Sequence, residues 1–162
     1  YRTDGEKNMT IIGYGLLAAI IFTADYFIKN YIEKTGKEGV TEEICGKKFL
    51  LRRYHNKGAF LDWGEKKSKL VAILSLALTI MATVIFLLTF SIKGNGMLKA
   101  GLAFLLGGAY SNTYDRLVRK YVVDYVSFPV KNKKLRSIVF NISDFCIMIG
   151  ALLMVLGIVK EG

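Results

Sequence analysis

Four aspartates carry most of the chemical content of this 162-residue chain: Asp25 and Asp144 lie within strongly apolar stretches, Asp115 at the edge of one, and Asp124 nearby. Asp25 is followed at i+4 by Lys29. Asn112, Asp115 and Arg116 stand at i, i+3 and i+4, and Asn141 and Asp144 at i and i+3, spacings that line one side of a helix. A charged side chain inside hydrocarbon costs roughly 2.5 to 3.5 kcal/mol on insertion scales, so an aspartate there is read first as functional. Two carboxylates held close together cannot both ionise. One then activates a water as general base while the other keeps a proton as general acid, and the pair titrates as a unit. That chemistry suits peptide hydrolysis at a membrane surface and needs neither metal nor cofactor.

Other chemistries find little support. His55 is the sole histidine and no serine is paired with it by a motif, so triads and zinc sites are disfavoured; it reads as an interfacial loop residue. Cys45 and Cys146, 101 positions apart, suggest neither a disulfide framework nor a thiolate metal site. A purely structural role competes for two of the aspartates, with Asp25 pairing to Lys29 and Asp115 to Arg116 or a nearby amide. Asp144 has no basic neighbour within a turn, which favours function there. Its partner is left open by the residues alone, between Asp115 and Asp124.

The elements that must position these groups are membrane spans. The chain is 52% hydrophobic yet carries a net charge of +10, and its apolar residues fall in long blocks, which excludes a water-soluble globule. Crossing about 30 Å of hydrocarbon takes about 20 apolar residues. Four segments qualify: 10–28, 70–92, 97–114 and 137–159, the third with one charge, Lys99. None has the flanks of a cleavable signal peptide. The expected architecture is an all-α integral membrane protein of four transmembrane helices, one membrane-embedded domain over residues 1–162. Asp144 would stand seven residues into the last span, about 10 Å along its axis.

Alternating direction puts the ends of spans 1 and 3 and the starts of spans 2 and 4 on one membrane face. The two large loops, 29–69 and 115–136, therefore open on the same side as all four aspartates. Within the first, Val40 to Phe60 has β-branched and aromatic residues broken by Gly46 and Gly58, a strand-and-turn pattern. Tyr31, Trp63, Tyr121, Tyr125 and Phe128 flank the spans, where aromatic side chains anchor at the headgroups.

With these residues in place, the chain resembles the lipoprotein signal peptidases (signal peptidase II), bacterial integral-membrane aspartyl proteases. Asp25 and Lys29 in ADYFIK are similar to the family's D-x-x-x-K, NKGAF (56–60) to its N-x-G-A-A-F, GGAYSNTYDR (107–116) to G-G-A-x-G-N-x-x-D-R, VVDYV (122–126) to V-x-D-F, and FNISD (140–144) to F-N-x-A-D. Five motifs in order, with four spans, make the resemblance specific. The NKGAF loop is one residue shorter than the pattern, Ser111 replaces a Gly and Ser143 an Ala.

The resemblance implies a catalytic pair of Asp124 and Asp144. It implies supporting or substrate-binding roles for Asp25, Lys29, Asn56, Gly58, Asn112, Asp115, Arg116 and Asn141, and a small β-sheet cap. It also implies a substrate, a prolipoprotein whose Cys carries a diacylglyceryl group, cut just before that Cys, in the bacterial inner membrane with the active site facing outside.

Two rival readings are a divergent, non-catalytic lipopeptide-binding paralogue and a small membrane transporter. Against the transporter, the chain has no inverted repeat and its carboxylates gather at one face rather than the midplane. Nucleic-acid binding is disfavoured, since the basic residues flank spans without a soluble reading domain; membrane lipids, anionic ones included, are the expected surroundings. Charge opposes the family's orientation. Lys and Arg number 11 in the first loop and seven in the third, and the positive-inside rule would place both in the cytoplasm.

Overall fold

The computed structural model describes residues 4–57, 64–92 and 94–161. Its first helix, α1, runs Asp4–Thr35, 32 residues or about 48 Å at 1.5 Å per residue, well beyond the hydrocarbon thickness. The excess length has a use. At its C-terminal end Ile28 and Ile32 pack against Val123, Tyr125, Leu51 and Val126, so the helix becomes the floor of a small sheet.

That sheet has three antiparallel strands in the order β1 (Thr41–Ile44), β2 (Phe49–Asn56) and β3 (Val122–Ser127). The strand-and-turn pattern of the first loop accounts for β1 and β2, joined by a turn in which Cys45, Gly46 and Lys47 take positive φ. The third strand lies in the second large loop, where residues 121–128 suggested only aromatic anchors. Tyr125 is not an anchor. It is buried, because strand alternation directs it into the core. Asp124 faces Tyr54 and Val123 faces His55 across the β2–β3 ladder, which shifts register between Leu51 and Tyr54.

The helical layer comprises α2 (Gly64–Thr89), α3 (Gly96–Tyr114) and α5 (Ile142–Glu161) with α1; a short α4 (Lys133–Arg136) lies in the second large loop. By length and composition Asn8–Thr35, Ser68–Thr89 and Ile142–Lys160 are able to cross a membrane. The helix over the third expected span is α3, and it packs against α1, α2 and α5. A central helix meets protein rather than lipid, so it tolerates Gly, Ser, Asn and Thr. These small residues let the backbones approach closely: a Cβ at Gly101 would lie 2.7 Å from the Gly150 carbonyl oxygen, and one at Gly107 2.7 Å from Ile21 Cβ.

Lys99, the one charge of the third expected span, lies three residues into α3 and turns back to the carbonyls of Ile92 at 2.9 Å and Gly94 at 2.6 Å, closing the α2–α3 hairpin. α5 begins at Ile142 rather than Ser137, because Phe140 is drawn onto β3. Its N–H donates to Val126 O at 2.7 Å, and its carbonyl accepts from Tyr125 N and Val126 N. Asp144 therefore sits in the first turn of α5 instead of seven residues into a span.

Burial is inverted relative to a soluble protein. Ile12, Leu16, Ile20, Leu74, Leu78, Leu88, Leu152 and Val155 are exposed on the outer helix faces, while Asp25, Lys29, Asn112, Asp115, Asp124 and Asn141 are buried. Lipid as the surrounding solvent demands this arrangement.

Candidate active site

Asn141 joins the two aspartates that the motifs single out. It caps α5: its side-chain oxygen accepts the Asp144 N–H at 2.9 Å, and its own N–H donates to Asp144 Oδ2 at 3.0 Å, the reciprocal capping box. The i, i+3 spacing is thus a cap and not, as expected, one face of a helix. Asn141 Nδ2 remains free of the cap and donates to Asp124 Oδ1 at 2.7 Å. Asn56, at the end of β2, donates to Asp124 Oδ2 at 3.0 Å, and Asn112 of α3 donates to Asp144 Oδ1 at 2.9 Å. Four elements meet at two carboxylates.

Beneath them lies a fully buried lysine. Lys29 Nζ is 2.8 Å from Asp25 Oδ2 and 3.0 Å from Asp115 Oδ2, and it donates to Ser111 Oγ at 3.0 Å and Asn112 Oδ1 at 2.9 Å. The expected Asp25–Lys29 pair is present. The expected Asp115–Arg116 pair is not: Asp115 opens a π-helical turn, Asp115–Arg119, that carries Arg119 Nε to 2.9 Å from its Oδ1. Asp115 Oδ2 also accepts the Val123 N–H at 3.1 Å, fixing the strand beside Asp124. Arg116, half-buried, donates to Asn112 O at 3.4 Å. Burial lowers its pKa, against the opposing charges of Asp144, Asp124 and Asp115.

Asp124 is the perturbed carboxylate of β3. Burial, and next the negative charge of Asp144, push its pKa from 3.8 up to about 7, against hydrogen bonds from Asn56 and Asn141 that favour the ion. Near neutral pH it therefore holds a proton much of the time. Asp144 receives donors from Asn112 Nδ2 and the Asn141 backbone on its two oxygens, contacts that suit an ionised base.

The structure gathers Asp25, Lys29, Asn56, Asn112, Asp115, Arg116, Asp124, Asn141 and Asp144 in one network; Gly58 and Trp63 lie outside the described residues. His55 is on β2, not in a loop, with Nε2 2.7 Å from Glu33 Oε1 and its ring stacked on Tyr121. Three members were not assigned to the site from sequence. Ser111, Ser143 and Tyr125 all bond Asp25, and the only signal was that each position departs from the motif quoted for it. Among the described residues no three His, Cys, Asp or Glu side chains are grouped to hold a metal ion.

The sequence model of the family Signal peptidase (SPase) II matches residues 17–160. The chain belongs to the signal peptidase II family. It is 37% identical to the lipoprotein signal peptidase of Alteromonas mediterranea over 110 residues, 67% of this chain and 59% of that protein. It is 30% identical to that of Shouchella clausii over 151 residues, 91% and 93% of the two chains. With that of Bacillus subtilis it shares 27% identity over 141 residues, 87% and 89% of the two. A bacterial membrane enzyme solved by the in meso method at 1.9 Å has the same fold, with a TM-score of 0.78 at 23% identity over 94% of this chain and 96% of the other. Signal peptidase II membership and the apolar helices make this a multi-pass bacterial membrane protein and a membrane peptidase of the aspartic type.

Proposed function

We propose that this signal peptidase II removes the signal peptide from prolipoproteins bearing a diacylglyceryl-modified Cys, cutting the bond before that Cys, with Asp124 and Asp144 as the catalytic pair. The observation that carries the reading is Asn141, which caps α5 through Asp144 and donates to Asp124 at 2.7 Å, so that one residue sets both carboxylates.

The chemistry follows from their surroundings. Asp144 takes a proton from a water as its oxygen attacks the scissile carbonyl, while Asp124 gives its proton to the carbonyl oxygen. The tetrahedral diol collapses as Asp124 takes back a hydroxyl proton and Asp144 delivers its proton to the leaving nitrogen. The C–N bond breaks and both carboxyls return to their starting states.

We take α3 as the fourth span of a single membrane-embedded domain, in the inner membrane with the sheet and both aspartates outside. Substrate that has already been exported meets the site there. Part of the opposing loop charge is neutralised, since Lys29 and Arg119 are ion-paired to Asp25 and Asp115. The remaining exposed basic residues of the second large loop face anionic lipid headgroups.

The test is mass spectrometry of the products from a diacylglyceryl-modified lipobox peptide incubated with the purified chain. Cleavage directly before the modified Cys is expected. Cleavage elsewhere, or none with several lipobox sequences, would reject the reading.

A further inference from the structure

Asp25 lies on α1, yet its carboxylate is shared among three other elements. Oδ2 accepts from Ser111 of α3 at 2.7 Å and from Ser143 of α5 at 2.5 Å, beside Lys29 Nζ at 2.8 Å; Oδ1 accepts from Tyr125 of β3 at 2.8 Å. Tyr125 follows Asp124 in the chain, and Ser143 precedes Asp144. One fully buried carboxylate thus holds the immediate neighbour of each member of the proposed pair. The Tyr125 hydroxyl also accepts the Ile142 N–H at 3.1 Å, which closes the ring between β3 and the start of α5.

The three hydroxyls stand where the family motifs quoted above have Gly, Ala and Phe. Each departure taken alone is a small polar change on a different element. Together they supply three donors to the same buried side chain. Held by four donors, the Asp25 carboxylate cannot rotate without stranding one of them in a buried site.

We infer that the Tyr125–Asp25–Ser143 bridge sets the spacing of Asp124 and Asp144, which makes Tyr125, Asp25 and Ser143 positioning residues for the cleavage step. The inference rests on the catalytic pair proposed above. Its geometric basis is that a carboxylate bonded to both flanking residues ties β3 to α5 at the level of the reacting groups.

Because Phe and Ala belong to the family pattern, Tyr125→Phe and Ser143→Ala should leave the chain folded. The charged and titratable groups near the pair are Asp25, Lys29, Asp115, Arg116 and the neutral Tyr125, and neither substitution alters a net charge. A moved pH profile therefore reports spacing. With the diacylglyceryl peptide as substrate, each single variant should lower kcat about tenfold, as expected for a small misplacement of reacting groups, with KM held within about twofold. The high-pH limb should move down by about half a unit, since separated carboxylates repel less.

The double variant should be no slower than the slower single, because either change opens the same bridge. Unchanged kcat and pH limb in both singles, or effects that multiply in the double, would overturn the bridge. Asp124→Asn is run beside them: cleavage surviving there rejects the pair and the bridge with it, whereas a dead Asp124→Asn beside unaffected Tyr125→Phe and Ser143→Ala rejects the bridge alone.

Discussion

Lys29 Nζ lies 2.9 Å from Asn112 Oδ1, and this contact fixes which end of the Asn112 amide faces Asp144. An ammonium only donates, so the oxygen must turn toward it and Nδ2 toward the carboxylate. The buried cation thus orients a donor to a residue it does not touch.

Removing that cation should be severe. Lys29→Met leaves Asp25 and Asp115 buried without their shared partner, and breaking a buried ion pair in this way costs about 3 to 5 kcal/mol. Thermal unfolding in detergent should show a large fall in midpoint. A midpoint within a few degrees of the wild type would mean that the lysine is not a structural hub.

The raised pKa of Asp124 has a sign that stability measurements can read. Its folded pKa of about 7 lies above the 3.8 of an unperturbed carboxyl. Between those values the folded protein holds a proton that the unfolded chain has released. The contribution of Asp124 is therefore fully present at low pH and is lost as pH rises through about 7. Asp124→Asn should flatten the decline in thermal midpoint over that window. Identical slopes in the two proteins would contradict the assigned proton.

Cys45 is exposed in the β1–β2 turn, whereas Cys146 is buried in α5. With the sheet outside, a membrane-impermeant thiol reagent should label Cys45 in intact cells and leave Cys146 unmodified. Labelling of Cys45 only in inverted vesicles would instead favour the orientation given by loop charge.

Lys131, Lys133 and Lys134 are exposed around α4, next to exposed Val130, Leu135 and Ile138. A basic residue at an anionic surface contributes about 1 kcal/mol. Replacing the three lysines by Gln should raise the apparent Michaelis constant more in anionic than in zwitterionic bilayers. An equal change in both would remove the lipid contact from the account.

Much of this was legible in the chain. Long apolar blocks announce helices because hydrocarbon allows few alternatives, and the Asp25–Lys29 pair follows from one helical turn. What stayed hidden depends on contacts distant in sequence. Asp115 adjoins Arg116 but pairs with Lys29, reached only when α3 packs on α1, and with Arg119 four residues on. The start of α5 depends on Phe140 bonding to β3, itself a strand completed by β2. Apolarity alone assigned those residues to a span, and so placed Asp144 too deep.

The central claim is that Asp124, not Asp115, works with Asp144. Asp115 is buried, ion-paired to Lys29 and Arg119, and bonded to the Val123 N–H, contacts that tie α3 to α1 and β3 and give it a structural role. The direct measurement is cleavage of the diacylglyceryl peptide by purified Asp115→Asn, Asp124→Asn and Asp144→Asn, each checked for folding by its thermal midpoint. Asp124→Asn and Asp144→Asn should remain folded, still bind substrate and lose at least about a hundredfold in turnover, as removal of a general acid or base does, whereas Asp115→Asn should unfold at lower temperature and keep measurable turnover. A stable but inactive Asp115→Asn beside an active Asp124→Asn would contradict the assignment and make Asp115 the partner of Asp144.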